Sequence, residues 1–253
     1  MGRRVTMGVL TLLLGFEVAA TSGWAEEESA VDNAGLTEKL PARSFNSKLG
    51  FKVWVVVEES EDSKFMGSTP ADEPLAVPAC RSWFVEPVPP IDMEAVAGEV
   101  GAQGIPGLKL PAKASDADLA HLKDLRALQT LDLFHTEVTN AGLAHLRELK
   151  GLQRLRLHET GVGDAGLAHL KDLKVLEYLS LGWTLVRNAG LAHFRELKAL
   201  QTRYLSCTRV ADAGLAQLKH LEGLETLDLR ATRVTDAGVE ELRKSLPHTE
   251  ILK

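Results

Sequence analysis

From Leu128 to the C-terminus, apolar and polar positions along the chain recur with a fixed step of 24 residues. One slot holds Thr136, Thr160, Thr184, Thr208 and Thr232; another holds Val138, Val162, Val186, Val210 and Val234; a third holds Gly142, Gly166, Gly190, Gly214 and Gly238. Within each unit the apolar spacing changes halfway. Leu131 and Leu133 are two apart, which puts both on one face of a strand, whereas Leu143, Leu146 and Leu149 are three apart and line one face of a helix. Each unit therefore reads strand, turn, helix. Asn140, Asp164, Asn188, Asp212 and Asp236 stand where that helix starts and are predicted to cap it, their side-chain oxygens accepting the first unsatisfied N–H groups. A helix of about ten residues is marginal in water, and a lone strand has no partner. Stacking resolves both problems, because strands pair at about 4.8 Å and the leucine slots merge into one buried ladder.

The pattern departs from itself in a few places. An earlier, imperfect copy runs from Ile105 through Leu108, Leu110, Asp116, Leu119, Leu122 and Leu125, with Asp118 in the glycine slot. At the other end Ile251 falls 24 residues after Leu227, which predicts a closing edge strand. Phe194 replaces a leucine. Arg203 takes the slot of Leu131, Leu155, Leu179 and Leu227. A buried unpaired charge is costly there, so either the side chain snorkels outward or the strand shifts locally.

With leucine, threonine and the Asp/Asn-Ala-Gly-Leu turn at these spacings, residues from about Ile91 to Lys253 resemble the leucine-rich-repeat family. A helix in every unit is similar to the ribonuclease-inhibitor-like class, of a type common in exported bacterial proteins and in F-box-type adaptors. The resemblance implies an α/β solenoid with parallel strands on a concave face and helices on the convex face. Where the family usually places Asn or Cys after the strand, this chain has its threonine series, whose hydroxyls must then bond the turn backbone.

The first residues read as an address. Arg3 and Arg4, an apolar run from Met7 to Phe16, and Gly23-Trp24-Ala25 before three glutamates make an export signal, with cleavage expected after Ala25. The apolar run is too short for a membrane span, which needs about 20 residues. A secreted or periplasmic protein follows. Residues 26–90 ignore the period and form a poorly defined N-terminal segment: Phe51–Val57 is β-rich, 58–72 is polar, and Pro87, Pro89 and Pro90 mark a boundary before the repeat domain, 91–253. Asp92 is predicted to cap a helix through Val100 that covers the first unit, and Asp32-Asn33-Ala34-Gly35-Leu36 echoes half a repeat.

Charge and chemistry narrow the function. Lys and Arg total 29 against 35 for Asp and Glu, a net charge of -6, which argues against an electrostatic grip on nucleic acid or anionic membrane. Cys80 and Cys207 do not make a disulfide framework. His121, His145, His169 and His193 share one helical slot, but ligands must converge within about 2 Å of a metal, and equivalent positions on neighbouring helices are roughly 8–10 Å apart. No nucleophile, base and orienting acid can be assembled from motifs, so neither catalytic nor cofactor-binding nor metal residues are expected.

The residues alternating with the strand leucines are not copied from unit to unit. They read Thr130, Arg154, Tyr178, Thr202, Thr226, then Asp132, Arg156, Ser180, Tyr204, Asp228, then Phe134, His158, Gly182, Ser206, Arg230. Packing constrains the framework and leaves this face free to suit a partner. Arg154, Arg156, Tyr178, Trp183 and Tyr204 are expected to gather near its middle, with Phe134 and His158 beside them. Such residue types dominate binding hot spots, although exposed aromatics also simply favour strand formation. The expected function is a non-enzymatic module that recognises a protein or peptide on its concave face. Two alternatives are a substrate-recognition adaptor of a ubiquitin-ligase-like complex, which needs a helical F-box before the repeats, and an exported carbohydrate-binding protein using aromatic stacking.

Overall fold

The computed structural model describes residues 42–56, 63–80 and 82–253; the export signal and the Asp32–Leu36 echo lie outside the described residues. Its strands are β1 (Arg43–Phe45), β2 (Phe51–Val56), β3 (Ser63–Thr69), β4 (Leu75–Val77), β5 (Ser82–Pro87), β6 (Gly107–Lys109), β7 (Thr130–Asp132), β8 (Arg154–Arg156), β9 (Tyr178–Ser180), β10 (Thr202–Tyr204), β11 (Thr226–Asp228) and β12 (Glu250–Leu252). Ten of them form one sheet, ordered β12-β11-β10-β9-β8-β7-β6-β5-β2-β3. From β5 to β12 every neighbour is parallel. Register follows the repeat, Leu131 lying opposite Leu155 and Leu155 opposite Leu179. These leucines are fully buried and join one continuous core with the helical leucines behind them.

Two features of the turn explain the copied slots. Each threonine hydroxyl donates to the carbonyl three residues back, Thr136 to Leu133 at 2.8 Å and Thr208 to Leu205 at 2.6 Å. The Asp/Asn series does something other than cap its own helix. Asn140 is the first helical residue and Thr139 is the cap. Asn140 Oδ1 instead accepts from the backbone N–H groups of Gly163 (2.7 Å) and Gly166 (3.1 Å) in the next unit. Asp164 likewise reaches Arg187 N, Asn188 reaches Ala211 N, and Asp212 reaches Thr235 N. The expected own-helix cap is thus replaced by a bond between units, because in the stack the following turn brings its amides within reach of that oxygen. This also accounts for the glycine slot: a Cβ at Gly166 would stand 2.6 Å from Asn140 Oδ1, and one at Gly190 2.5 Å from Asp164 Oδ1.

The convex elements are tighter than ordinary helices. Asn140–Leu143 is α-helical and Ala144–Leu146 continues as 3₁₀, while Gly190–Glu196 is 3₁₀ throughout. Leucines three apart fit a helix of three residues per turn better than one of 3.6. Only the last unit has a full α-helix, Asp236–Ser245.

Arg203 neither snorkels nor shifts its strand. It pairs in register with Leu179 and Leu227, and its side chain is fully buried. None of its guanidinium nitrogens has a hydrogen-bond partner among the described residues, and its charge rests over the Phe194 ring, 4.2 Å from the centroid. The two departures from the leucine pattern therefore meet in the core.

Residues before the repeats extend the same sheet. β2 alternates buried Phe51, Val53 and Val55 with half-buried Lys52, Trp54 and Val56. β5 runs antiparallel to β2 and parallel to β6, with Val85 opposite Leu108. Phe45, from the small β1–β4 pair, packs edge-on to Trp83 at 5.4 Å. The helix Met93–Gln103, capped by Asp92, buries Met93, Val96, Ala97 and Val100 against the first unit. Strands thus stand where an F-box adaptor carries helices.

One column of the turn is strained. His135, Glu159, Trp183, Cys207 and Ala231, all in the same slot, have φ between 53° and 56°. A side chain with a Cβ costs roughly 1–2 kcal/mol in this left-handed region. We predict that Ala231→Gly raises stability by about 0.5–1 kcal/mol, after the entropy cost of glycine. A urea midpoint at or below that of the parent would refute this.

Candidate functional site

Because strand side chains alternate, the leucines enter the core and their neighbours form the opposite, concave surface. On β7 to β9 this surface carries Thr130, Arg154 and Tyr178 in one column and Asp132, Arg156 and Ser180 in the next. It continues past the repeats. Trp54 of β2 stacks on Phe84 of β5 (centroids 6.3 Å apart) and tilts against Phe65 of β3 (5.1 Å). Gly107 lies between this aromatic group and Thr130, and a Cβ there would sit 2.7 Å from Phe84 Cβ, so glycine lets β5 close on β6. Where the two surfaces meet is a cleft lined by Val56, Phe84, Thr130, Asp132, Arg154 and Arg156 among others.

The charges in this cleft are positioned by their neighbours. Arg154 lies over the Tyr178 ring, 4.2 Å from its centroid. Arg156 bonds Asp132 at 3.3 Å and lies 5.8 Å from the centroid of Phe134. Burial pushes the Glu177 carboxyl up from its ordinary pKa, and the Arg154 guanidinium partly offsets this. Further along, Arg230 is held by Asp228 at 3.1 Å. The polar atoms Trp54 Nε1, Thr130 Oγ1 and Ser180 Oγ are buried without a hydrogen-bond partner among the described residues. Guanidinium planes beside aromatic faces and unsatisfied polar atoms suit a ligand with carboxylates, backbone amides and flat or apolar groups.

The structure redistributes the residues singled out from sequence. Arg154, Arg156 and Phe134 are half-buried and line the concave surface. Tyr178, Tyr204 and His158 do not stand open on it, being 3%, 0% and 6% exposed. Tyr178 is packed between Arg154 and Tyr204, and His158 against Phe134. Trp183 does not join the tyrosines: it follows the strand in the left-handed turn and is 53% exposed at the flank of the solenoid. Sequence reasoning missed Trp54, Phe65 and Phe84. The alternation in Phe51–Val56 carried a signal for Trp54, which falls on the face opposite Phe51, Val53 and Val55. Among the described residues no group of three His, Cys, Asp or Glu side chains is placed to hold a metal ion, and no helix is long and apolar enough to cross a membrane.

No protein-family model matches the chain, and no curated protein does. Among solved structures it is similar to an internalin (inlF) of Listeria monocytogenes, at 16% identity and a TM-score of 0.46 over 64% of this chain and 50% of that one. It is similar to internalin C2 of the same organism, at 18% identity and a TM-score of 0.49 over 67% of this chain and 79% of that one. A leucine-rich-repeat protein of Leptospira interrogans aligns at 18% identity and a TM-score of 0.40, over 57% of this chain and 46% of that one. The chain thus spans half the length of the first of these. Its own geometry defines the architecture: parallel strands in 24-residue register, leucines inward, short helices behind. The chain folds as a leucine-rich-repeat solenoid.

Proposed function

We propose that this protein is a non-enzymatic binding module, exported from the cell, that recognises a protein or peptide along its concave sheet. In this reading it belongs with ribonuclease-inhibitor-like solenoids of 24-residue units. The observation that carries the reading is the cleft that Arg154 and Arg156 share with Phe84, from which Trp54 and then Phe65 continue the aromatic surface. Arginine and large aromatics at the centre of a face are the residues whose loss most weakens interfaces. Tyr178 supports Arg154 from beneath, and Phe134 flanks Arg156. The contact centre lies at the N-terminal end of the sheet, displaced from the middle of the repeats.

The test begins with cross-linking capture of a partner from the native extracellular medium, followed by titration of the purified pair. Arg154→Ala with Arg156→Ala, and separately Phe65→Ser, are expected to weaken binding at least tenfold, about 1.4 kcal/mol. Phe65 is 49% exposed, so its loss leaves the core intact. An unchanged affinity in both variants would place the partner elsewhere.

A further inference from the structure

Three departures from the repeat fall on one spot, away from the concave cleft. Phe194 stands in the slot of Leu146, Leu170 and Leu218, and Arg203 in the slot of Leu179 and Leu227. The third is His220, which follows Asp124, Glu148, Asp172 and Glu196 in a slot that is otherwise acidic. Arg203 is rooted on β10, and its guanidinium crosses the core to the Phe194 ring in the convex layer, 4.2 Å from the centroid. His220 is exposed on the convex surface and lies against the backbone of Arg195. Desolvation, and then the charges of Arg195, Arg203 and Lys198, lower its pKa. A ring that is neutral or positive thus stands beside Arg203 where the pattern would place a carboxylate.

The charge at this spot is unbalanced. No carboxylate among the described residues pairs with Arg195, Lys198 or Arg203. The nearest acids of the convex layer are engaged elsewhere, Glu196 with Lys174 at 3.3 Å and Glu241 with Lys219 at 3.0 Å. Burial lowers the Arg203 pKa to about 9, so the guanidinium is still charged at neutral pH. Its Nε, Nη1 and Nη2 all lack a hydrogen-bond partner among the described residues. The Phe194 ring attracts the charge through its face but leaves the in-plane N–H donors of the guanidinium unused. A buried cation in this state calls for a counter-ion.

The surroundings narrow what that ion can be. Leu179 and Leu227 lie in register on either side of Arg203, so every contact of the ion other than the guanidinium and the imidazole is aliphatic. A divalent or strongly hydrated anion would lose more solvation on entry than one guanidinium returns. A weakly hydrated monovalent anion suits the site, entering past His220. We propose that Arg203, with His220 at the mouth, forms a small-anion site that takes chloride or a similar halide and ties the stability of the solenoid to the anions of its medium.

Thermal unfolding of the purified protein at pH 7 tests this, with chloride replacing the bulky isethionate anion at constant ionic strength. The midpoint should rise by about 3–5 °C as chloride goes from about 5 mM to about 500 mM, the effect of roughly tenfold saturation of one site. Arg203→Leu removes the guanidinium and should unfold at a temperature indifferent to chloride. His220→Glu, at an exposed position, restores the carboxylate of the slot. It should unfold above the parent in low chloride and lose most of the rise. Crystals soaked in bromide should show an anomalous peak beside the Arg203 guanidinium. A parent midpoint indifferent to chloride, a rise kept in full by Arg203→Leu or by His220→Glu, or bromide bound only elsewhere would overturn the proposal.

Discussion

Replacing Arg203 by leucine is expected to stabilise the protein by about 1–4 kcal/mol, the gain found where buried ionic groups give way to well-packed apolar ones. Arg203 is fully buried, in register between two leucines, with no hydrogen-bond partner for its guanidinium among the described residues. The Phe194 ring offsets part of this cost. Burial pushes its pKa down to about 9. The unfolded chain therefore binds more protons than the folded one between that value and the ordinary arginine range. Stability should rise through that window as pH increases and the buried charge is relieved. Below it the penalty is present in full. In Arg203→Leu this rise disappears, so the difference between parent and variant should shrink above pH 9. Thermal unfolding at pH 7 and pH 10 measures both effects. A variant no more stable than the parent at pH 7 would mean that the guanidinium is satisfied in solution. A double-mutant cycle with Phe194→Leu adds a second check, since the ring should be worth about 1–2 kcal/mol with Arg203 present and little without it.

Gly190→Ala is expected to act in the opposite direction, costing about 2–4 kcal/mol. The added methyl would stand 2.5 Å from Asp164 Oδ1 and 3.1 Å from Asp164 Cα, so backbone as well as side chain must yield. Moving that carboxylate also breaks its 2.7 Å bond to the Arg187 amide. Gly98→Ala is the control. It lies inside the helix Met93–Gln103 with nothing within 4 Å of its added Cβ, so it should stabilise by about 0.5–1 kcal/mol. Urea unfolding of the two variants decides the matter, and equal midpoints would sink the account of the glycine slot.

The repeating part of the fold was legible because a copied residue announces a copied environment. Leu131, Leu155 and Leu179 occupy the same slot and the same place in the core. What that slot-by-slot reading could not give is what a side chain touches in the next unit. Asn140 looked like a cap because capping is a local interaction, and its real partners lie 23 and 26 residues ahead. Arg203 stands out in its slot, but the slot pattern does not tie it to Phe194, since the contact between them crosses from strand to helix. The N-terminal strands were the least legible. β2, β3 and β5 have no period, and the aromatic group that they assemble brings together residues 54, 65 and 84 from separate segments. Trp183 was misplaced for a different reason. Counting alternation past the end of β9 assumes extended backbone, and a left-handed residue breaks the count.

The forward reach of the Asp/Asn oxygens gives the molecule a direction and leaves its length open. Each unit offers an acceptor to its successor and receives one from its predecessor, so any internal unit has the same two couplings. A tandem duplication of residues 188–211 would find an acceptor waiting behind it and an amide ahead, lengthening the arc by about 4.8 Å with no new kind of bond. The coupling is not tied to an amide: Asp236, in the same slot, is engaged by the Lys253 ammonium.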